Sequence, residues 1–136
     1  MRHLLAMPLA CAVIVACATP AAPHPAGPFT LARGASVLVA PGVSVTFDAV
    51  EDSRCPPGVQ CVWAGRLSYR FSIRHGDAAP EYFTLSPAQR EAAPAALGGR
   101  RIVLDADTIP PPPPQGAVID YRATLSILPS QPAQPT

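Results

Sequence analysis

Three stretches of the chain alternate strictly between apolar and polar residues. Val43, Val45, Phe47 and Ala49 are interleaved with Ser44, Thr46 and Asp48. Leu67, Tyr69, Phe71 and Ile73 are interleaved with Ser68, Arg70, Ser72 and Arg74, and Ile119, Tyr121, Ala123, Leu125 and Ile127 with Asp120, Arg122, Thr124 and Ser126. A period of two puts one set on a core face and the other in water, so each stretch predicts a strand covered on one side. Shorter runs at residues 30–31, 36–40, 82–85 and 101–104 predict further strands. Turn signals separate them at Arg33-Gly34, Pro41-Gly42, His75-Gly76-Asp77 and Gly98-Gly99. Six or seven short antiparallel strands predict an all-β domain. A small antiparallel β-sandwich is the expected form, with a barrel as the alternative.

Two segments break the pattern. Ser86-Pro87-Ala88-Gln89 reads as a capping box with proline at the first helical position. Pro94 would stop any helix there within two turns, so at most a short lid is expected. Residues 109–114, Ile followed by five prolines, read as polyproline II spanning roughly 15 Å. Between two predicted strands such a segment serves best as a stiff connector across one end of the sandwich; a PxxP ligand is the competing reading.

The N-terminus places the chain in a compartment. Arg2 and His3 precede an apolar run over residues 4–15, the length of a signal-peptide core and well short of the roughly 20 residues a spanning helix needs. Ile14-Val15-Ala16-Cys17 resembles the lipobox of bacterial lipoproteins, in which the cysteine takes a diacylglycerol and becomes the first mature residue. Cys11 fits less well, because Pro8 stands where an aliphatic residue belongs. The resemblance implies a signal peptide over residues 1–16 and a membrane anchor at Cys17. It leaves residues 17–28 as a Pro/Ala-rich tether, 29–128 as the β domain and 129–136 as a disordered Pro-rich tail. Ala18, rather than aspartate, follows Cys17; by the same resemblance that implies an outer-membrane lipoprotein facing the periplasm. Ordinary cleavage after Ala18 is the alternative, and the chain is exported in either case.

Charge and composition exclude several classes. The whole chain has a formal charge of +1, and loss of residues 1–16 removes Arg2 and no acid, leaving nine arginines against nine acids. No basic face for nucleic acid or anionic headgroups is expected. A nucleophile elbow, a zinc-protease helix, a phosphate loop and a dinucleotide fingerprint are all missing from the sequence. Asp105 and Asp107 read as strand-end or turn acids, His75 as a turn residue and His24 as a solvated tether residue. A non-enzymatic monomer is expected, with no catalytic residue, metal or cofactor.

The densest chemistry lies in Glu-Asp-Ser-Arg-Cys-Pro-Pro-Gly-Val-Gln-Cys-Val-Trp-Ala-Gly, residues 51–65. With Cys17 lipidated, Cys55 and Cys61 are the remaining thiols of the mature chain and meet an oxidising compartment, where they are expected to pair. Closing a loop of about seven residues is worth roughly 2.4 kcal/mol on the chain-entropy model. Pro57-Gly58 suits the centre of a type II turn, so the loop is stiff before it meets anything. Two cysteines at this spacing are a poor metal set, lacking further ligands, and they lack the Cys-x-x-Cys spacing of a redox pair. Trp63, two residues beyond Cys61 and on the same face of an expected strand, is expected to pack against the disulfide, and Ala64-Gly65 to allow a bulge.

Asp52-Ser53-Arg54-Cys55-Pro56, Val59, Cys61 and Trp63-Ala64-Gly65 resemble a motif shared by small exported bacterial proteins, often lipoproteins. The resemblance covers residues 43–128 and implies no particular activity. Arg54 has two readings: a residue making an ion pair with Asp52 or Glu51, or a hydrogen bond to loop carbonyls; or an exposed recognition residue on a pre-ordered loop. Arg54, Pro56, Pro57, Gly58, Val59 and Gln60 form the candidate recognition loop, with Trp63 and Gly65 at the motif's core. The expected role is a non-catalytic envelope lipoprotein that binds or supports another envelope protein. The alternative is an inhibitor whose loop 54–61 enters the active site of a protease or lysozyme-like hydrolase.

Overall fold

A computed structural model describes Pro25 and residues 27–132. The signal peptide, Cys17, His24, most of the tether and residues 133–136 lie outside the described residues. Eight strands follow in order: β1 (Phe29–Ala32), β2 (Ser36–Ala40), β3 (Val43–Asp52), β4 (Leu67–His75), β5 (Glu81–Leu85), β6 (Glu91–Ala92), β7 (Arg101–Leu104) and β8 (Arg122–Leu128). They form two four-stranded antiparallel sheets, β1-β8-β7-β6 and β2-β3-β4-β5, which do not close on each other. The protein is a small β-sandwich, not a barrel.

The alternation seen in sequence builds the core. In one sheet Val45 opposes Ile73, and Phe47 opposes Phe71, which opposes Phe83. The Phe47 and Phe71 rings stack at 5.1 Å and those of Phe71 and Phe83 at 5.3 Å. The other sheet answers with Leu31 opposite Ala123 and Leu104 opposite Leu125. These side chains, with Leu67, Tyr69, Leu85, Leu97 and Ile102, make one buried cluster. Burial of this apolar surface is the main force holding the sheets together.

Five expectations about the elements need correction. Ala49 does not continue the inward face of β3. The register against β4 shifts between Phe47 and Ala49, so Asp48 is an inserted residue, and beyond it the even positions turn inward. Val50 opposes Tyr69 and packs on the core, while Ala49 opposes the exposed Arg70 on the outer face. No helix forms between Ser86 and Pro94. Instead Ser86 N–H donates to the Gln89 carbonyl (2.9 Å) and Gln89 N–H to the Ser86 carbonyl (3.1 Å) and hydroxyl (3.0 Å). The capping contact is made, but the chain reverses and enters β6, where ladder bonds to β7 replace helical ones. That two-residue strand raises the total beyond the expected seven. The last strand begins at Arg122 rather than Ile119, because Tyr121 is drawn to a side-chain partner described below. Residues 61–65 form no strand.

Strand directions fix the two ends of the sandwich. Ala32 opposes Arg122 and Phe29 opposes Leu125, so the chain ahead of β1 leads toward the Leu128 end. Asp52, Leu67 and Tyr121 lie at the other end, where the β3–β4 and β7–β8 connections meet. The proline-rich segment crosses there, between a 3₁₀ turn (Ala106–Thr108) and β8.

Candidate recognition loop

The β3–β4 connection is bound at its base before the disulfide is considered. Ser53 N–H donates to the Arg66 carbonyl (2.9 Å), and Arg66 N–H donates to the Ser53 hydroxyl (3.0 Å). The two chains can approach this closely because residue 65 is glycine. Gly65 has φ 64°, and a Cβ there would overlap the Ser53 carbonyl oxygen. Positive φ and a crowded carbonyl both demand that no side chain be present. Ala64-Gly65 is thus the clamp of the loop rather than a bulge within a strand.

Below the clamp the inserted residue at Asp48 has a consequence: it turns Asp52 inward. The Asp52 side chain is 6% exposed and that of Arg54 16%. Arg54 Nε donates to Asp52 Oδ1 (2.9 Å) and Nη2 to Oδ2 (2.7 Å), a two-point ion pair. Arg54 N–H also donates to Oδ1 (3.1 Å), and the Tyr121 hydroxyl donates to Oδ2 (2.6 Å). These four bonds fill the acceptor capacity of the carboxylate. Arg54 Nη1 donates to the Pro110 carbonyl (2.9 Å), joining the loop to the proline-rich segment. The hydrogen bond from Arg54 lowers the Asp52 pKa to about 2, against the opposing effect of burial. Burial, with the bond to Asp52 behind it, pushes Tyr121 up to about 12.

Above the clamp the loop is closed by the Cys55–Cys61 disulfide, with Cα atoms 5.9 Å apart. Val59 N–H donates to the Pro56 carbonyl (3.3 Å) around Pro57 and Gly58, whose φ of 75° is that required at the third position of a type II turn. The loop is braced by the disulfide and the clamp, yet its apolar side chains are not covered. Val59 is 41% exposed, Trp63 82% and Val62 97%. Shallow grooves flank the clamp. One of about 460 Å³ is lined by Ser53, Trp63, Gly65 and Arg66, and one of about 330 Å³ includes Ala64, Leu67, Pro87 and Ala88.

This arrangement sorts the residues singled out by sequence. Cys55 and Cys61 bond to each other, so neither is a thiolate for metal or redox chemistry. Arg54 takes the first of its two readings: its guanidinium is turned inward and occupied, so it is not an exposed recognition residue. Pro57, Gly58, Val59 and Gln60 lie on the exposed arc, while Pro56 is half-buried. Trp63 is not packed in the core against the disulfide. A loop this short has no second layer to cover an indole, and no strand carries Trp63 toward the sheets. Asp105 caps the 3₁₀ turn, accepting from Asp107 N–H (3.0 Å). Sequence reasoning missed Tyr121, Pro110, Ser53 and Val62. The consecutive apolar pair Val62-Trp63 was the readable signal, since no strand can bury two successive side chains on one face. Comparison with protein-family models, with curated proteins and with solved structures finds no match.

Proposed function

We propose that the protein is a non-catalytic cell-envelope lipoprotein, anchored through Cys17, that binds another envelope protein with its β3–β4 loop. The observation that carries this reading is the exposure of Val59, Val62 and Trp63 on a segment fixed by a disulfide, a two-point ion pair and a backbone clamp. Rigid exposed aromatics suit recognition, because little side-chain and backbone freedom is lost on binding. A structural role alone would be served by the clamp and the ion pair and gives no reason to hold an indole in water.

The test is recovery of partners from envelope extract by the anchored chain, with Trp63→Ala alongside. Loss of one partner, with an unchanged melting temperature, supports recognition by the loop. Equal recovery by both proteins moves the search to the sheet faces. Incorporation of labelled fatty acid, abolished by Cys17→Ser, tests the anchor separately.

The convex turn at residues 56–59 favours a second reading, inhibition of an envelope or secreted hydrolase. With Arg54 turned inward, the residues available to enter such an active site are Val59 to Trp63. Failure of the pure domain to slow any secreted protease or lysozyme would remove this reading.

A further inference from the structure

The outer surface of the loop joins apolar side chains to a single available cation. Between residues 53 and 66 the charged side chains are Arg54 and Arg66. Arg54 is occupied by Asp52, whereas Arg66 has no carboxylate within ion-pair distance among the described residues. Arg66 lines both grooves, beside Trp63 in one and beside Ala64, Leu67 and Pro87 in the other. Charge and apolar surface are therefore presented together, on one rigid edge.

Resting on the loop's proposed role as a recognition element, we infer that its occupant is a protein with an apolar cleft and a carboxylate at the rim. Val62 and Trp63 enter the cleft and Arg66 pairs with the rim. Neither group is satisfied among the described residues: the apolar pair is in water, and the Arg66 guanidinium makes no ion pair, since the neighbouring Glu51 is taken by Arg70. An acid at the edge of a partly desolvated cleft would supply both orientation and steering.

Two other occupants fit less well. A second copy of the chain could place Trp63 in the 330 Å³ groove of its mate. An isologous contact would then bring the Arg66 side chains of the two copies together near the two-fold axis, with no acid of the loop between them. A bilayer would suit the exposed indole, but β1 begins at the end of the sandwich opposite this loop, and a membrane surface offers no specific carboxylate for Arg66.

The experiment places a photoreactive benzophenone at Val62 of the full lipidated chain and cross-links it in the producing envelope. The expected product is an adduct with one protein other than this chain. With that protein purified, Trp63→Ala should weaken binding at least about thirtyfold. Arg66→Glu should weaken it about tenfold, Arg66→Lys much less, and the affinity should fall between about 50 and 500 mM salt. Melting curves of each variant should match the parent, since neither side chain supports the core. An adduct with lipid, an adduct with a second copy, or no adduct would overturn the inference and the recognition role together. A partner that needs Trp63 but ignores Arg66→Glu and salt would leave the recognition role standing and overturn the acidic rim.

Discussion

At Gly65 a methyl group would have to share space with the Ser53 carbonyl oxygen while the backbone holds a left-handed φ. Relief requires the two legs of the loop to part, which breaks the Ser53–Arg66 bonds. Gly65→Ala is expected to cost about 3 kcal/mol or more, read from the denaturant midpoint. Asp52 offers a different measurement. Its folded pKa, about 2, lies below the ordinary value of 3.8, so the deprotonated form is favoured by folding. The resulting stability is present above pH 4 and is lost as pH falls through 4 toward 2. It amounts to about 2 kcal/mol. Asp52→Asn should lower stability at neutral pH and flatten this acid limb; a limb of unchanged depth would show that other acids produce it. Tyr121 has the opposite sign. Its pKa is raised toward 12, so the stability it adds is intact below pH 10 and declines between 10 and 12.

At the level of elements, the strands were legible where a residue's face is decided by its neighbours in the chain. Strict alternation marked β4 and most of β3, because a slip of one residue would turn the whole apolar set into water. The same rule misplaced Ala49, since an inserted residue leaves no local signature: Asp48 is a polar residue where a polar residue belongs. Trp63 was misread for a related reason. Its apolarity suggested a core, but the short closed loop supplies nothing to cover it. The pairing of Asp52 with Arg54 was open to sequence reading at two residues' distance; the bonds from Tyr121 and to Pro110 were not, because they join segments more than fifty residues apart. The disulfide belongs to this scale as well. The Cys55→Ser/Cys61→Ser double variant should lose at most roughly 2.4 kcal/mol, and less if the clamp and the ion pair keep the legs together. A loss of 4 kcal/mol in thermal or denaturant unfolding would mean that the staple also holds the sandwich end.

For the molecule as a whole, the core and the proposed recognition surface are supplied by separate sets of residues. Phe47 is fully buried between Tyr69 and Phe71. Phe47→Ala is expected to cost about 3–5 kcal/mol and to lower the midpoint of a single cooperative transition. Trp63→Ala is expected to move stability by less than about 0.5 kcal/mol while weakening the proposed binding. Calorimetry on the two variants separates these outcomes, and a Trp63→Ala protein as unstable as Phe47→Ala would show that the indole supports the fold. The separation allows the exposed side chains of the loop to change without repacking the sheets.

The inserted residue in β3 carries a last consequence, for how such a chain tolerates change. Asp48 is exposed, and among the described residues its carboxylate accepts only from the Ser72 hydroxyl (3.1 Å), so many side chains could stand in its place. Deleting it would remove the bulge and keep the faces: Phe47 opposite Phe71 and Ala49 opposite Arg70 become consecutive pairs, and Val50 and Asp52 stay inward on an unbroken ladder. The change that does harm is to keep Asp48 and force it into the ladder. That would return Ala49 and Glu51 to the core side and swing Asp52 into water, leaving Arg54 half-buried without its counter-charge. A family descended from such a chain would vary at this site in letter, and in length by the one residue that pairs with nothing.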